Sequence, residues 1–181
     1  MEHIERSMNL FEENYSDPSD IVYTPNSVAA DIVSFFPICT PCLDPCAGDG
    51  VFLKFLPQGA EYCEIRNGKD FFNYSKSVDW IVGNPPYSIF KDFLAHSFNI
   101  AENIVYIVPT NKIFQSFKVM DLIERNGGIH TMLIYGCGQN VGFPFGFSVG
   151  AFYFKKGFNG STKIIFRRLS KSLQIKQKET A

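Results

Sequence analysis

At 181 residues, with 45 % hydrophobic content and 19 phenylalanines, the chain has enough apolar material for one domain with a substantial core. Its net charge of −1 gives no overall electrostatic sign of a polyanion partner. No apolar run approaches the roughly 20 residues of a membrane helix, and the acidic start MEHIERSMNLFEENYSD lacks the basic-then-apolar order of a signal peptide. The expectation is a soluble, cytoplasmic protein with no membrane partner.

The charges are unevenly spread. Before residue 21 there are six acids (Glu2, Glu5, Glu12, Glu13, Asp17, Asp20) against Arg6 alone. From Lys155 to Lys178 there are eight bases and no acid. This divides the chain into an acidic segment over 1–19, a folded domain over 20–168 and a basic tail over 169–181. The basic stretch reads equally as a phosphate-contacting flank or as a solvated tail.

The folded part alternates helix and strand. Thr24 is placed to cap a helix with Pro25 at its first position, and Val28, Ile32, Val33 and Phe36 recur at helical spacing before Pro37. Short apolar runs bounded by Gly, Pro or Asn predict strands near 40–44, 60–65, 78–83 and 103–108. Helices are expected between them at 50–57, 88–101 and 111–125. That succession predicts an α/β protein whose parallel sheet is covered on both faces. After Gly127 and Gly128, the runs HTMLIYG, VGAFYFK and TKIIFRR follow one another as strands without a helix, which predicts an antiparallel ending.

Five cysteines (Cys39, Cys42, Cys46, Cys63, Cys137) make an odd set without a disulfide framework. Cys39, Cys42 and Cys46 are close enough to suggest a metal or cluster site, but no second CxxC or His pair follows. They are read as small buried hydrophobes.

Two stretches carry chemistry. DPCAGDG, from Asp44 to Gly50, follows a strand and is expected to open a helix near Val51; its glycines allow a tight turn and a close approach of backbone to a ligand. Glu64 ends the next strand, 20 residues after Asp44, where a carboxylate can accept both ribose hydroxyls of an adenosine-type ligand. The loop lacks the full G-x-G-x-x-G, which disfavours pyrophosphate. In IVGNPPYSIF, Pro85 and Pro86 donate no backbone hydrogen bond, so the strand must end at Asn84, where reactive groups gather.

An exocyclic aromatic amine is a poor nucleophile because its lone pair is delocalised into the ring. The Asn84 side-chain oxygen can accept one N–H and the Pro85 carbonyl the other, favouring a more tetrahedral nitrogen. Tyr87 offers a flat face for a base, held by the stiffness of Pro85 and Pro86. Nothing in this chemistry requires a metal, a Cys nucleophile or a His base.

YTP at 23–25, DPCAGDG, Glu64, Asp70-Phe71 and NPPY at 84–87 together resemble the S-adenosylmethionine-dependent adenine-N6 methyltransferases, over roughly residues 20–155. NPPY alone is shared with enzymes that methylate other planar amide or amine nitrogens; its combination with the DPxxGxG loop is the specific feature. The resemblance implies a Rossmann-like class I methyltransferase fold, with a mainly parallel seven-stranded sheet and an antiparallel C-terminal strand. It implies S-adenosylmethionine as cofactor, with Tyr23, Thr24 and Pro25 at its methionine end, Asp44, Ala47, Gly48 and Gly50 as its loop, and Glu64 on the ribose. Asp70 and Phe71 would handle the adenine, with core packing as the other reading of Phe71.

On the same resemblance Asn84, Pro85, Pro86 and Tyr87 are the catalytic segment, and the reaction is methyl transfer to N6 of adenine in DNA, the base being flipped out or single-stranded. RNA adenine, a protein glutamine side chain and a non-catalytic subunit of the same fold are the alternatives. The Gly- and Phe-rich segment at 136–150 resembles a mobile loop that packs the flipped base, with Phe145 preferred to Phe143 or Phe147. With 26 residues after 155, no separate target-recognition domain is expected. Recognition would then come from the loop and the basic segment, from a partner subunit or homo-oligomer, or be permissive.

Overall fold

The computed structural model describes residues 21–169; the acidic segment at 1–19 and the basic tail beyond Leu169 lie outside them. The chain enters along an extended stretch and forms helix α1 (Asn26–Phe35). Pro25, at φ −60°, takes the capping position itself and no side chain caps the helix, so the predicted start is displaced by one residue. The helix stops at Phe36, whose backbone is extended, because a residue before proline is pushed out of the helical region.

Seven strands follow: β1 (Cys42–Asp44), β2 (Glu61–Tyr62), β3 (Val78–Gly83), β4 (Ala101–Pro109), β5 (Gly127–Cys137), β6 (Ser148–Lys156) and β7 (Lys163–Phe166). They form one sheet in the order β2-β1-β3-β4-β6-β5-β7. Helix α2 (Phe90–Ile100) links β3 to β4, and α3 (Thr110–Phe114) with α4 (Phe117–Asn126) links β4 to β5. Strand β6 runs antiparallel between β4 and β5, whereas β7 returns parallel to β5. The sheet is therefore mostly parallel with one antiparallel strand, as expected. The antiparallel strand is the sixth, because β6 fills the gap between β4 and β5 and leaves only the outer edge of β5 to the last strand.

Three predicted elements are corrected. The helix expected at 50–57 is a single 3-10 turn at Phe52–Lys54; the span between Gly50 and Pro57 is too short to repay helix nucleation. The strand expected at 60–65 is only Glu61–Tyr62. The helix expected at 111–125 breaks at Gln115 and Ser116, and Ser116 is extended at φ −118°, ψ 109°.

The central strands are buried on both faces, and the pleat divides the core. Ile81, Ile104, Tyr106 and Phe152 pack with Phe93, Leu94 and Phe98 of α2 on one face. Trp80, Val82, Val105 and Ile107 pack with Val28, Ala29 and Ile32 of α1 on the other. Asp79, at the start of β3, is the one exposed residue of that strand. The carboxyl ends of β1 and β3, at Asp44 and Gly83, meet at one edge, and β6 begins near it with Val149 opposite Pro109.

Five of the eight C-terminal bases fall within the described residues. Lys155 pairs with Asn103 and Lys156 with Gly127, at the opposite end of the sheet from Gly83. Arg167 is committed elsewhere: its guanidinium donates to both carboxylate oxygens of Asp31 on α1, and Tyr135 Oη of β5 donates to Asp31 Oδ2 at 2.9 Å. A phosphate-contacting flank beside Asn84 is thus not assembled from Lys155, Lys156 and Arg167. The Asp31–Tyr135–Arg167 cluster instead ties α1, β5 and the end of β7 together. Arg167→Ala leaves a mostly buried carboxylate with one partner fewer and is expected to cost about 1–3 kcal/mol, read as a lower midpoint of urea unfolding; an unchanged midpoint would reject the clamp.

Candidate active site

The loop after β1 is held from beneath by β2. Ala47 N–H donates to the Cys63 carbonyl at 2.9 Å and Cys63 N–H to the Asp44 carbonyl at 2.8 Å. Gly48 sits at φ +54°, a left-handed conformation that glycine adopts without strain. Its N–H donates to Glu64 Oε2 at 2.7 Å. Glu64 Oε1 accepts from Arg66 N–H at 3.2 Å and from Arg66 Nε at 2.8 Å. The buried Glu64 carboxylate therefore fixes the glycine loop, and a carboxylate with two oxygens still has acceptor capacity beyond these three bonds. The carboxylate beside it and the Tyr23 hydroxyl raise the pKa of the Arg66 guanidinium.

Above this loop a cleft opens in two lobes, of ≈ 800 and ≈ 610 Å³ of empty space reaching to solvent. Val22, Tyr23, Cys46, Gly48 and Asn84 line both. The first lobe adds Glu64, Ile65, Arg66, Phe71 and Pro86, and is mainly apolar; the second adds Thr24, Asn26, Ala47, Asp49 and Lys54.

At the floor, β3 ends as the prolines require, and Asn84 stands between the lobes. Its Nδ2 donates to the Val22 carbonyl at 2.8 Å, while Oδ1 is buried without a hydrogen-bond partner. The Asn84 main-chain carbonyl accepts from Cys46 Sγ at 3.1 Å. Burial and the neighbouring Asp44 carboxyl push the Cys46 thiol well above its usual pKa, so it stays a protonated donor. Tyr87 is buried just beyond, meeting Phe145 edge-on with ring centroids 6.3 Å apart and planes at 73°.

Of the residues expected from the sequence, Tyr23, Thr24, Ala47, Gly48, Glu64, Phe71, Asn84 and Pro86 line the cleft. Pro25, Asp44, Gly50, Asp70, Pro85, Tyr87 and Phe145 do not line either lobe. Pro25 caps α1, Gly50 N–H closes a turn on the Ala47 carbonyl, and Asp70 Oδ1 accepts from Phe72 N–H to start a 3-10 turn. Phe71 borders the first lobe and also packs on Phe93 and His96 in the core. Val22, Cys46, Ile65 and Arg66 are cleft residues the sequence reading did not select as site residues; their adjacency to Tyr23, to the glycine loop and to Glu64 was the signal that could have pointed to them. Among the described residues no cluster of His, Cys, Asp and Glu side chains is arranged to hold a metal.

No family model and no curated protein matches the chain. Solved structures do. A Listeria monocytogenes protein described as a class I S-adenosylmethionine-dependent methyltransferase aligns at TM-score 0.61 and 11 % identity, over 86 % of this chain and 69 % of that one. The methyltransferase subunit of a type I restriction-modification system from Streptococcus thermophilus aligns at 0.59 and 16 %, over 87 % and 52 %. A Pyrococcus horikoshii protein described as an RNA methyltransferase aligns at 0.55 and 18 %, over 75 % and 86 %. The fold is thus the Rossmann-like class I methyltransferase fold. The chain spans about half the length of the type I subunit it resembles.

Asp44 is fully buried, with Oδ1 accepting from Cys46 N–H at 3.2 Å and Oδ2 unpartnered. Burial pushes its carboxyl up to about 7, against the Cys46 N–H bond and with a further push from Glu64. An unfolded aspartate titrates near ~3.9. As pH rises between these values the unfolded chain releases its proton first, so stability falls, and a cost on the order of 4 kcal/mol is fully present above about pH 7. Asp44→Asn removes that dependence. Wild type and variant compared by chemical unfolding should diverge by several kcal/mol between pH 4 and 7.5, and parallel curves would overturn the assignment.

Proposed function

We propose that this chain is an S-adenosylmethionine-dependent methyltransferase that modifies the N6 amine of adenine in DNA, taking the base flipped out or from a single strand. The observation that carries the reading is the Asn84 side chain. Its amide nitrogen is committed to Val22, its oxygen is unsatisfied and buried, and it stands where the two lobes of a cleft meet. A buried acceptor left open costs about 1–3 kcal/mol, and a substrate N–H repays it.

The cleft fits the cofactor. Phe71, Ile65 and Pro86 offer apolar walls for an adenine ring, and Glu64 retains lone pairs for ribose hydroxyls. Tyr23, Thr24, Ala47 and Gly48 border the lobe suited to the methionine portion. Pro25, Gly50 and Asp70 support these walls from behind, and the buried Asp44 sets the loop. When bound, S-adenosylmethionine supplies an electrophilic methyl group on a sulfonium.

The chain's own residues prepare the nucleophile. Asn84 Oδ1 accepts one amine N–H and the Pro85 carbonyl, freed from the sheet by the two prolines, accepts the other; both stabilise positive charge developing on nitrogen. Pro86 fixes the turn, and Tyr87 bears the base on its ring. Phe145, edge-on to Tyr87, lies beside that base and limits where it can slide. The DNA reading is supported by the DPxxGxG form of the loop and by the fold of a type I modification subunit. A separate recognition subunit, or a second copy of this chain, would supply sequence choice.

The purified protein incubated with labelled cofactor and a mixture of DNA, RNA and protein should yield N6-methyladenine in the DNA digest; label on RNA adenine or on glutamine would replace the substrate assignment. Asn84→Ala should keep its affinity for S-adenosylhomocysteine while transfer falls by at least 100-fold, about 2.7 kcal/mol. Transfer at the original rate would sink the role of Asn84. Glu64→Ala should weaken S-adenosylhomocysteine binding by 10-fold or more in calorimetry, and unchanged affinity would reject its ribose role.

A further inference from the structure

The connection between β5 and β6 holds three phenylalanines at alternate positions, and the fold stacks their rings into a ladder. Phe143 is buried; Phe145 lies over it at 5.1 Å with planes 23° apart; Phe147 lies over Phe145 at 4.0 Å and 7°. Phe147 ends the ladder and is 48 % exposed, close to what remains when one face of a ring is covered and the other is open. A phenyl face left in water at the end of a stack forgoes burial that the rest of the loop obtains.

The loop is built to hold this arrangement. Gly138 N–H donates to the Phe147 carbonyl and Phe143 N–H to the Gly138 carbonyl, both at 3.0 Å, closing the segment into a ring. A Cβ at Gly138 would stand 2.6 Å from the Phe145 ring, so only glycine lets that ring seat. Gly142 packs against Pro25, with room for a Cβ only 3.2 Å from its ring. In this conformation these contacts hold the three rings in one stack.

The orientation of the ladder bears on what it receives. Tyr87 is at 73° to Phe145, and Phe147 is within 7° of Phe145, so the Tyr87 and Phe147 faces are nearly perpendicular. Two neighbouring bases lying on these two faces could not stack on each other. That is the arrangement of a strand whose target nucleotide is turned out while its neighbour stays on a flat support. Paired DNA resists such splaying through its stacking and pairing, whereas a single strand gives way at low cost. Gln139, exposed and with its amide oxygen 3.8 Å from where a Gly146 Cβ would stand, lies beside the ladder and offers both a donor and an acceptor to a base edge.

We infer that the open face of Phe147 is a stacking site for the nucleobase next to the target in a single-stranded or locally unpaired nucleic acid, with Phe143 and Phe145 as its rigid backing. The inference rests on the nucleic-acid reading of the active site and adds to it a second base site and a preferred strand state. Base stacking on an aromatic side chain is sequence-tolerant, so the platform fixes register while the Gln139 amide gives the chain a means to prefer one neighbouring base.

The test uses fluorescence anisotropy with the full chain, S-adenosylhomocysteine, and labelled single-stranded oligonucleotides carrying one adenine. One oligonucleotide is intact; the others have an abasic residue immediately 5′ or 3′ of that adenine. Wild type should lose about 10-fold in affinity when one particular neighbour is abasic. Phe147→Ala should bind the intact strand about 10-fold more weakly and be indifferent to the abasic change, while Phe147→Trp restores wild-type affinity and its sensitivity. Phe147→Trp should melt as wild type does and Phe147→Ala only slightly lower, since one face of the ring is packed on Phe145 and the other is open. If Phe147→Ala binds as wild type does, or if the side-chain and abasic losses add independently, the platform is overturned while the active-site reading stands. If wild type binds cofactor but no oligonucleotide, the nucleic-acid reading itself fails and takes the platform with it.

Discussion

The hydrogen bond from Asn84 Nδ2 to the Val22 carbonyl is the constraint on which the site turns. A primary amide has one end that donates and one that accepts, so committing the nitrogen to Val22 leaves the buried oxygen as the end without a partner. The bond spans 62 residues and joins the entering strand-like stretch to the end of β3. Cys46 Sγ holds the same residue by its main-chain carbonyl. Asn84 is therefore held on both sides, by its side-chain amide and by its main-chain carbonyl.

Glu64 plays the corresponding part for the glycine loop. Its two oxygens reach the Gly48 N–H and Arg66, and the backbone bonds from Ala47 and Cys63 close β1 and β2 around the turn. The cost appears at Asp44, a buried carboxyl with an unpartnered oxygen whose pKa is displaced to about 7. The two-faced core of Phe, Ile and Val on either side of β3 and β4 offsets that cost. The unpartnered polar atoms of Asp44 and Asn84 thus stand at the strand ends, and the apolar packing in the strands that carry them.

The aromatic segment before β6 shows that glycine content alone does not say what each glycine does. Five glycines in fifteen residues read as mobility, yet two of them serve packing: Gly138 admits the Phe145 ring and Gly142 admits Pro25. The same residue type that loosens an isolated chain permits close contact in a folded one. The result is a stacked ladder beside Tyr87, which Phe145 meets edge-on.

Much of this was legible in the sequence because it is local. The apolar run of β3, its termination at two prolines and the DPCAGDG turn depend on neighbours along the chain, and each appears where the pattern puts it, whereas Glu64 falls two residues beyond the end of β2. The short span between Gly50 and Pro57 also held the information that no α-helix could form there, though apolar periodicity suggested one. What no local pattern encodes is which distant groups meet. Val22 as the partner of Asn84, and Asp31 as the acceptor for Arg167 and Tyr135, depend on crossovers that bring separate segments together. The sequence determined where β3 stops and which polar side chains stand there; the tertiary structure alone decided their orientation, because an amide or a ring face acquires direction only from the group that packs against it.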